Sequence, residues 1–267
     1  MTWKSSPQHL INPMAKPKFL RSKLLGNLGI TAVFSERTGG ISPAPYDSLN
    51  LGYNVGDNIG NVEINTVRFI ESAGLTGEPH QAEQAHGINH LLCSGNGSLH
   101  SEQADILLTC DSEIPIAVRT ADCMPILIAD PVNRVVAAVH AGWRGTAAGV
   151  VINAIDQIEK MGAQRKHIHA TLGPCIGPCC FEVDNETAEQ LKLSVNGADQ
   201  SISYTPKPHP NLTAINRLQL NIAGVKEAQI ETHNICTCCH PERFYSYRRD
   251  RGETGRHLAV VALPEAL

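Results

Sequence analysis

MPILIADPVNRVVAAVH, residues 124–140, carries the clearest structural signal in this chain. Its two apolar runs, MPILIAD and RVVAAVH, each have the length of one buried strand, and the turn formers Asp130 and Asn133 lie where they meet. The stretch therefore predicts an antiparallel hairpin. The neighbouring apolar runs ADILLT and IPIAVRT predict that this hairpin belongs to one buried sheet.

Helical patterns and further strands surround the hairpin without strict alternation. Helices are predicted at residues 61–74, 145–163, 185–197 and 211–225, the first of them capped by Asn61, and HIHATLG and HLAVVAL predict two more strands. This order favours the α+β class over a doubly wound sheet. We expect a single-domain mixed α/β sandwich, in which helices flank a central antiparallel or mixed sheet. The domain would cover residues 1–267, with residues 1–25 as an N-terminal extension.

Composition restricts the classes of function and partner. The chain has 42% hydrophobic residues, 18% charged residues and a net charge of -4, which is ordinary for a globular enzyme and unlike a nucleic-acid or anionic-membrane binder. No apolar run approaches the ~20 residues of a transmembrane helix, and the N-terminus lacks the apolar core of a secretory signal. We therefore expect a cytoplasmic protein, a monomer or small homo-oligomer, whose nine cysteines are reduced thiols or metal ligands.

Two residues at the open end of the hairpin have the chemistry of metal ligands. Pairing brings Cys123 opposite the region of His140 and Ala141. Opposed Cβ atoms lie about 4.5 to 5.5 Å apart, which is close enough for both side chains to reach one zinc ion at about 2.0 to 2.3 Å. A lone buried cysteine or histidine is usually a packed core residue, but Cys123 follows Asp122 in a polar break. The pair thus indicates half of a zinc site, and the residues leave the third ligand open.

A series of motifs extends this interpretation along the chain. In order they are FSERTGG, SLNLG, QAHG, TADCMPILIAD, AVHAGWRGT, GPCIGPCCFEV and FYSYRRDRGETGR. Together they resemble the YfiH or laccase-domain family, from about Phe34 to the last strand. The resemblance implies a catalytic zinc site whose ligands are His86 of QAHG, Cys123 of TADC and His140 of AVHAGWRG.

The resemblance also implies an activity. The family is described as cleaving adenosine, inosine, guanosine and S-methyl-5′-thioadenosine with phosphate, which gives the free base and ribose 1-phosphate, and as deaminating adenosine. Its older names, laccase and polyphenol oxidase, make copper the alternative metal and oxidation the alternative reaction. The expected partners are thus a small nucleoside and phosphate, with no nucleic acid and no membrane.

Substrate-binding residues are expected near the metal ligands. Arg144 lies four residues after His140 on a glycine-flanked turn, and a guanidinium binds phosphate through paired, charge-assisted hydrogen bonds. Arg37 of SERTGG, Asn50 of SLNLG and Arg248 of SYRRD are assigned to the same pocket.

Three alternatives remain open from the residues. A copper oxidase could use Met124 as a weak axial ligand. Two features weigh against it. Neighbours on a strand point to opposite faces, and a laccase needs several His-x-His pairs, of which His167 with His169 is the only one in this sequence. A cysteine hydrolase could use Cys123 as nucleophile and His140 as base. A regulatory protein could bind nucleosides without turning them over.

The remaining cysteines fall partly into two short runs, CIGPCC and CTCCH. Their close spacing would suit a second structural zinc ion or an iron–sulfur cluster. The runs lack the two matching C-x-x-C motifs of a zinc ribbon, so we predict reduced thiols around the pocket in preference to a second metal site.

Overall fold

The structure is a computed structural model of the chain and describes residues 15–265. Its strands and helices are numbered here in chain order. Strands β1 to β14 are Phe19–Arg21, Thr31–Ser35, Gln81–Glu83, His90–Leu92, Leu99–Gln103, Ile106–Thr109, Ile116–Thr120, Met124–Asp130, Val135–Ala141, His169–Leu172, Ile202–Tyr204, Pro208–Pro210, Ile230–Thr232 and His257–Ala262. Helices α1 to α6 are Lys23–Gly26, Ile59–Ala73, Trp143–Ala147, Val150–Lys160, Asn185–Leu193 and Leu212–Ile222.

Two sheets pack face to face, with helices on their outer sides. One sheet has the strand order β1-β2-β14-β7, and the other, mixed sheet has the order β13-β10-β8-β9-β6-β4. The predicted α+β sandwich is confirmed. The expectation that ADILLT and IPIAVRT both join the sheet of the hairpin is wrong for IPIAVRT, because ADILLT contributes β6 to the six-stranded sheet whereas IPIAVRT contributes β7 to the four-stranded sheet. An apolar run shows that a strand is buried but does not identify its neighbour.

Apolar clusters fill the spaces between these layers. Phe34, Val118 and Val261 of the four-stranded sheet belong to the same buried cluster as Leu127 and Val136 of the six-stranded sheet. Helices α4 and α6 cover the outer face of the six-stranded sheet, and α2 covers that of the four-stranded sheet. Both faces of the central strands are therefore buried, which explains their continuous apolar sequences.

The predicted hairpin is confirmed and lies at the centre of the six-stranded sheet. Every residue of Met124–Asp130 and Val135–Ala141 is buried. Asp130 organises the turn, because its carboxylate accepts hydrogen bonds from the backbone N–H groups of Val132 and Asn133, each at 2.9 Å. Such Asx turns are a recurrent way of reversing the chain.

The register brings the two expected ligands to one end of the hairpin. Met124 pairs with Ala141, so that Cys123 lies one position beyond the ladder, opposite Gly142. The pairing thus differs by about one residue from the prediction, since a turn sequence fixes its own centre only to within a residue. Cys123 and His140 remain diagonal neighbours on the same face.

The helices are confirmed with shifted ends. Asn58 caps α2 in place of the predicted Asn61, and its side chain accepts a hydrogen bond from the N–H of Gly60 at 2.9 Å. The helix predicted at residues 145–163 begins earlier and is divided into α3 and α4, because Gly149 adopts a left-handed conformation with φ 77°.

Part of the predicted N-terminal extension joins the fold. Residues 1–14 of that segment lie outside the described residues. Farther along, β1 pairs antiparallel with β2, and α1 follows it. Within residues 15–265, none of the helices has the length and apolar character needed to cross a membrane.

Candidate active site

An open pocket of about 590 Å³ lies at the end of the hairpin where Cys123 and His140 meet. This volume falls within the range of roughly 300 to 1,000 Å³ that is typical of small-molecule sites. Its lining includes Glu83, Gln84, His86, Arg119, Thr120, Asp122, Cys123, His140, Trp143, Arg144, Ile176, Phe181, Leu212, Tyr247, Arg248 and Arg256.

Three side chains with metal-ligand chemistry converge in the pocket. The ligand atoms of His86, Cys123 and His140 all lie within 4.8 Å of one another. His140 is buried near the end of β9, Cys123 lies in the turn before β8, and His86 lies exposed in the loop after β3. The backbone of His86 has φ 60°, an uncommon conformation for a residue other than glycine.

Asp105 fixes the orientation of two of these groups. Its Oδ1 lies 2.7 Å from Nδ1 of His140. The same carboxylate accepts hydrogen bonds from the backbone N–H groups of His86 at 3.0 Å and of Gly87 at 2.7 Å. With Nδ1 occupied, Nε2 of His140 is the ring nitrogen left for another partner. A carboxylate behind an imidazole is a common arrangement in metal sites, where it fixes the tautomer and the ring orientation.

Charge interactions favour the thiolate form of Cys123. Burial alone would raise the pKa of Cys123, but the neighbouring His140 and His86 rings lower this pKa to about 6. Burial would lower the pKa of His140, yet the charge of Cys123 and the hydrogen bond with Asp105 raise it to about 9. The thiolate is the form in which cysteine binds a metal or acts as a nucleophile.

The donor set fits a zinc ion. One sulfur and two imidazole nitrogens form a ligand set that zinc accepts, and a zinc ion with three protein ligands keeps one coordination position for solvent or substrate. Copper accepts the same donors. The hydrogen bond between Asp105 and His140 strengthens the fit, because it raises the basicity of the imidazole and limits its rotation.

Four arginines give the rest of the pocket a positive character: Arg119, Arg144, Arg248 and Arg256. Arg144 lies over the ring of Trp143, with its guanidinium carbon 4.3 Å from the ring centroid. Burial lowers the pKa of both Arg119 and Arg256. Several guanidinium groups in a concave site attract a small anion.

Two of the residues assigned to substrate binding point elsewhere. Arg37 does not line the pocket, because its guanidinium donates to the carbonyl oxygens of Asp47 and Pro241, each at 2.8 Å, and lies over the Tyr245 ring. Asn50 is fully buried, and its Oδ1 accepts a hydrogen bond from the backbone N–H of Arg256 at 2.9 Å. Asn50 therefore supports the pocket wall, and neither Arg37 nor Asn50 is among the residues that line the pocket.

The other two assigned residues do line the pocket. Arg144 lies on α3, immediately after the strand that carries His140. Arg248 lies at the rim, where its Nη1 donates to the carbonyl oxygens of Glu182 at 2.8 Å and of Cys180 at 3.3 Å.

The site residues that sequence reasoning missed include Asp105, Arg119 and Arg256. Each carries a signal that could have been used. Asp105 is a carboxylate directly before a buried strand, Arg119 is a charge inside the apolar run IAVRT, and Arg256 ends the motif GETGR. A charged residue within or beside a buried strand needs a specific partner, and often marks a site.

The features that favoured a copper oxidase are separated in the structure. Met124 is fully buried in the cluster beneath the six-stranded sheet, on the face opposite Cys123. His169 pairs with Ala129, near the turn end of β8, so the His-x-His pair formed with His167 lies far along the sheet from Cys123.

Comparisons with known proteins agree with this architecture. Residues 31–264 match the family model described as multi-copper polyphenol oxidoreductase laccase. The chain is 37% identical over 236 residues to the purine nucleoside phosphorylase YfiH of Shigella flexneri, across 88% of this chain and 94% of that protein. It is 34% identical over 239 residues to a purine nucleoside phosphorylase of Deinococcus radiodurans, across 89% of this chain and 91% of that protein.

Solved structures show the same fold. YlmD from Geobacillus stearothermophilus superposes with a TM-score of 0.86 at 32% identity, across 92% of this chain and 96% of that one. The hypothetical protein YfiH from Bacillus licheniformis superposes with a TM-score of 0.84 at 30% identity, across 94% of this chain and 99% of that one.

Proposed function

The chain belongs to the family described as multi-copper polyphenol oxidoreductase laccases, and from this premise we propose that it is a zinc-dependent purine nucleoside phosphorylase. The substrates would be adenosine, inosine, guanosine and S-methyl-5′-thioadenosine, cleaved with phosphate to the free base and ribose 1-phosphate, with deamination of adenosine as a second activity. Similar proteins carry the name purine nucleoside phosphorylase. The observation that carries the proposal is that one pocket combines the His86, Cys123 and His140 group with several arginines.

Phosphorolysis requires an anion beside the sugar. An oxygen of phosphate bonds to C1′ of the ribose while the bond from C1′ to the purine nitrogen breaks, and the purine leaves with that electron pair and gains a proton. Arg144 and Arg256 are suited to hold the phosphate, because planar guanidinium groups bind its oxygens in pairs. Trp143 supplies an aromatic face in the same pocket.

Three side chains of the pocket would position the metal ion. His86, Cys123 and His140 would hold the zinc ion, and Asp105 keeps the His140 ring in the orientation that leaves Nε2 available. When bound there, zinc supplies Lewis-acid chemistry, the property that nucleobase deaminases use to activate water.

The pocket also contains two carboxylates that differ in their hydrogen bonding. Asp122 accepts hydrogen bonds from the side chains of Thr237 at 2.6 Å and Ser246 at 2.9 Å, and from the N–H of Arg248 at 2.7 Å. The carboxylate of Glu83 has no hydrogen-bond partner among the residues that the structure describes. Glu83 is therefore the carboxylate that we propose to contact the bound nucleoside.

A cysteine hydrolase is a second candidate. The observation that favours it is the chain of contacts from Cys123 to His140 to Asp105, which has the order of nucleophile, base and orienting acid. A cysteine that binds zinc is not free to attack an acyl group, so the metal content distinguishes the two functions.

The experiment is a product assay on zinc-loaded protein, copper-loaded protein, Cys123→Ser and the matched control Cys110→Ser, which removes an exposed thiol. Adenosine is supplied with and without phosphate, and adenine, inosine and hypoxanthine are separated by chromatography. We expect adenine only with phosphate, retained in Cys110→Ser and lost in Cys123→Ser. Absence of every purine product, together with oxidation of a diphenol by the copper form or cleavage of an activated ester, would overturn the proposal.

A further inference from the structure

Four cysteine side chains meet at a second place, on the outer side of the pocket wall. The Sγ atoms of Cys179, Cys180, Cys236 and Cys239 all lie within 4.8 Å of one another. Sγ of Cys239 is 3.5 Å from that of Cys179 and 3.4 Å from that of Cys180. Cys179 and Cys180 precede Cys239 by 60 and 59 positions in the sequence, so the fold itself brings the thiols together.

We propose that these four cysteines form a second, structural zinc site with four thiolate ligands. Zinc binds thiolates at about 2.3 Å in a tetrahedron, which places the sulfur atoms about 3.8 Å apart. The separations of 3.4 and 3.5 Å, within a group that spans at most 4.8 Å, agree with this spacing. A disulfide requires about 2.0 Å. Four sulfurs this close would surround a single ion and leave no room for the inorganic core of an iron–sulfur cluster.

The backbone around the thiols is shaped to let them approach. Cys175 and Cys236 form a parallel bridge that joins the two segments. The N–H of Gly177 donates to Sγ of Cys236 at 3.2 Å, and such bonds orient and stabilise metal thiolates. A Cβ atom at Gly177 would lie only 3.3 Å from Sγ of Cys179, so glycine gives the sulfur room.

Packing explains the group less well than a metal does. Cys179 and Cys239 are exposed, so the usual role of cysteine as a small core residue does not apply to them. Cys236 and Cys239 have the C-x-x-C spacing common in structural zinc sites, and the adjacent Cys179 and Cys180 complete the set. On this proposal the four residues are ligands of one ion and not separate thiols around the pocket.

The position of the group gives the site a structural purpose. The segment that holds Cys179 and Cys180 lies between Ile176 and Phe181, which both line the pocket. The other segment contains Thr237, whose hydroxyl donates to Asp122 at 2.6 Å. A metal ion shared by the two segments would fix one wall of the pocket, in the way that structural zinc ions stabilise small loop-rich regions.

The test measures metal, so that it does not depend on the proposed reaction. Zinc per chain is determined by mass spectrometry for the wild type, Cys239→Ser, His86→Ala and Cys238→Ser. Cys238 is the matched control, because it belongs to the same run but not to the group. We expect two zinc ions in the wild type and in Cys238→Ser, and one in each of the other two variants. With cobalt(II) in place of zinc, the sulfur-to-metal charge-transfer absorption should fall by more than half in Cys239→Ser and only slightly in His86→Ala.

Three results would overturn the second site. The first is two zinc ions in Cys239→Ser. The others, in protein purified without reductant, are a disulfide among the four cysteines and iron in place of zinc. If Cys239→Ser does not fold, alkylation of the wild-type thiols tests the second site in its place. We expect Cys110 to react at once and the four grouped cysteines to react only after a zinc chelator is added, whereas immediate reaction of all of them would refute the site.

Discussion

Replacing Gly142 by alanine tests directly the geometry of the proposed zinc ligands His86, Cys123 and His140. Gly142 has φ -66°, which any residue tolerates, so the space beside it and not the backbone requires glycine. An added Cβ would lie 2.7 Å from Nδ1 of His86 and 3.1 Å from Sγ of Cys123. Of the two neighbours, His86 is exposed on a loop and can move away, so the substitution should displace this ligand while the sheet stays intact.

The size of the effect follows from the overlap. Ordinary contact begins at 3.4 Å, so the His86 ring must retreat by about 0.7 Å from its present 2.7 Å. A metal site tolerates displacement of its ligands by roughly 0.5 Å. Changes that misorient a metal ligand weaken binding roughly 10- to 100-fold, which corresponds to about 1.4 to 2.7 kcal/mol.

The assay is a zinc titration in competition with a chromophoric chelator. Wild type, Gly142→Ala and His86→Ala are compared, since His86→Ala defines the signal of this site. Gly26→Ala is the control, because a Cβ there meets nothing within 4 Å. Thermal unfolding of Gly142→Ala should stay near that of the control. Wild-type zinc affinity in Gly142→Ala would contradict this prediction, and so would a large loss of stability, because either result would mean that the His86 ring did not move.

Three further predictions concern the pocket and the hairpin. Arg144→Ala should raise the KM for phosphate roughly tenfold or more, as expected for loss of a charged hydrogen-bond donor, with zinc content unchanged; an unaltered KM would exclude Arg144 from phosphate binding. Asp105→Asn should weaken zinc binding, because an amide cannot match both Nδ1 of His140 and the backbone donors, and the same titration detects it. Asp130→Ala should lower the free energy of unfolding by about 1.5 to 3 kcal/mol at pH 7. Burial would raise the pKa of Asp130, but its hydrogen bonds lower it. The stability that the carboxylate contributes is therefore present above about pH 4 and is lost as the pH falls. In urea denaturation, the difference in free energy of unfolding between wild type and Asp130→Ala should be smaller at about pH 2 than at pH 7, and an equal difference at both would contradict the argument.

The sequence predicts the hairpin because the signals for its strands and its turn lie close together. The strands are continuous apolar runs, and Asp130 marks the reversal with side-chain bonds that act within three residues. Sheet membership depends on distant partners. The strand Ile116–Thr120 lies in the second sheet because its neighbour is the last strand, His257–Ala262, and no local pattern identifies that pairing.

The same distinction applies to the site. Cys123 and His140 could be paired from the sequence because one short hairpin joins them. His86 comes from a loop with no periodic pattern, and only the family resemblance suggested it. Arg37 was assigned to the pocket because it lies in a shared motif, but a motif does not reveal where a side chain points. In the structure, nearby carbonyl oxygens hold it outside the pocket.

Asp122 explains why Cys123, the arginines of the pocket and the four grouped cysteines share one region. It adopts φ 88°, a conformation that costs about 1 to 3 kcal/mol for such a residue and persists only where the surroundings impose it. Its carboxylate accepts bonds from Thr237, in the CTCC turn, and from the backbone N–H of Arg248 at the pocket rim. These bonds hold Asp122 in the turn that leads directly into Cys123. The strained turn thus directs the sulfur of Cys123 towards His140. The hydrogen bonds that Thr237 and Arg248 donate to Asp122 offset the conformational energy of the turn.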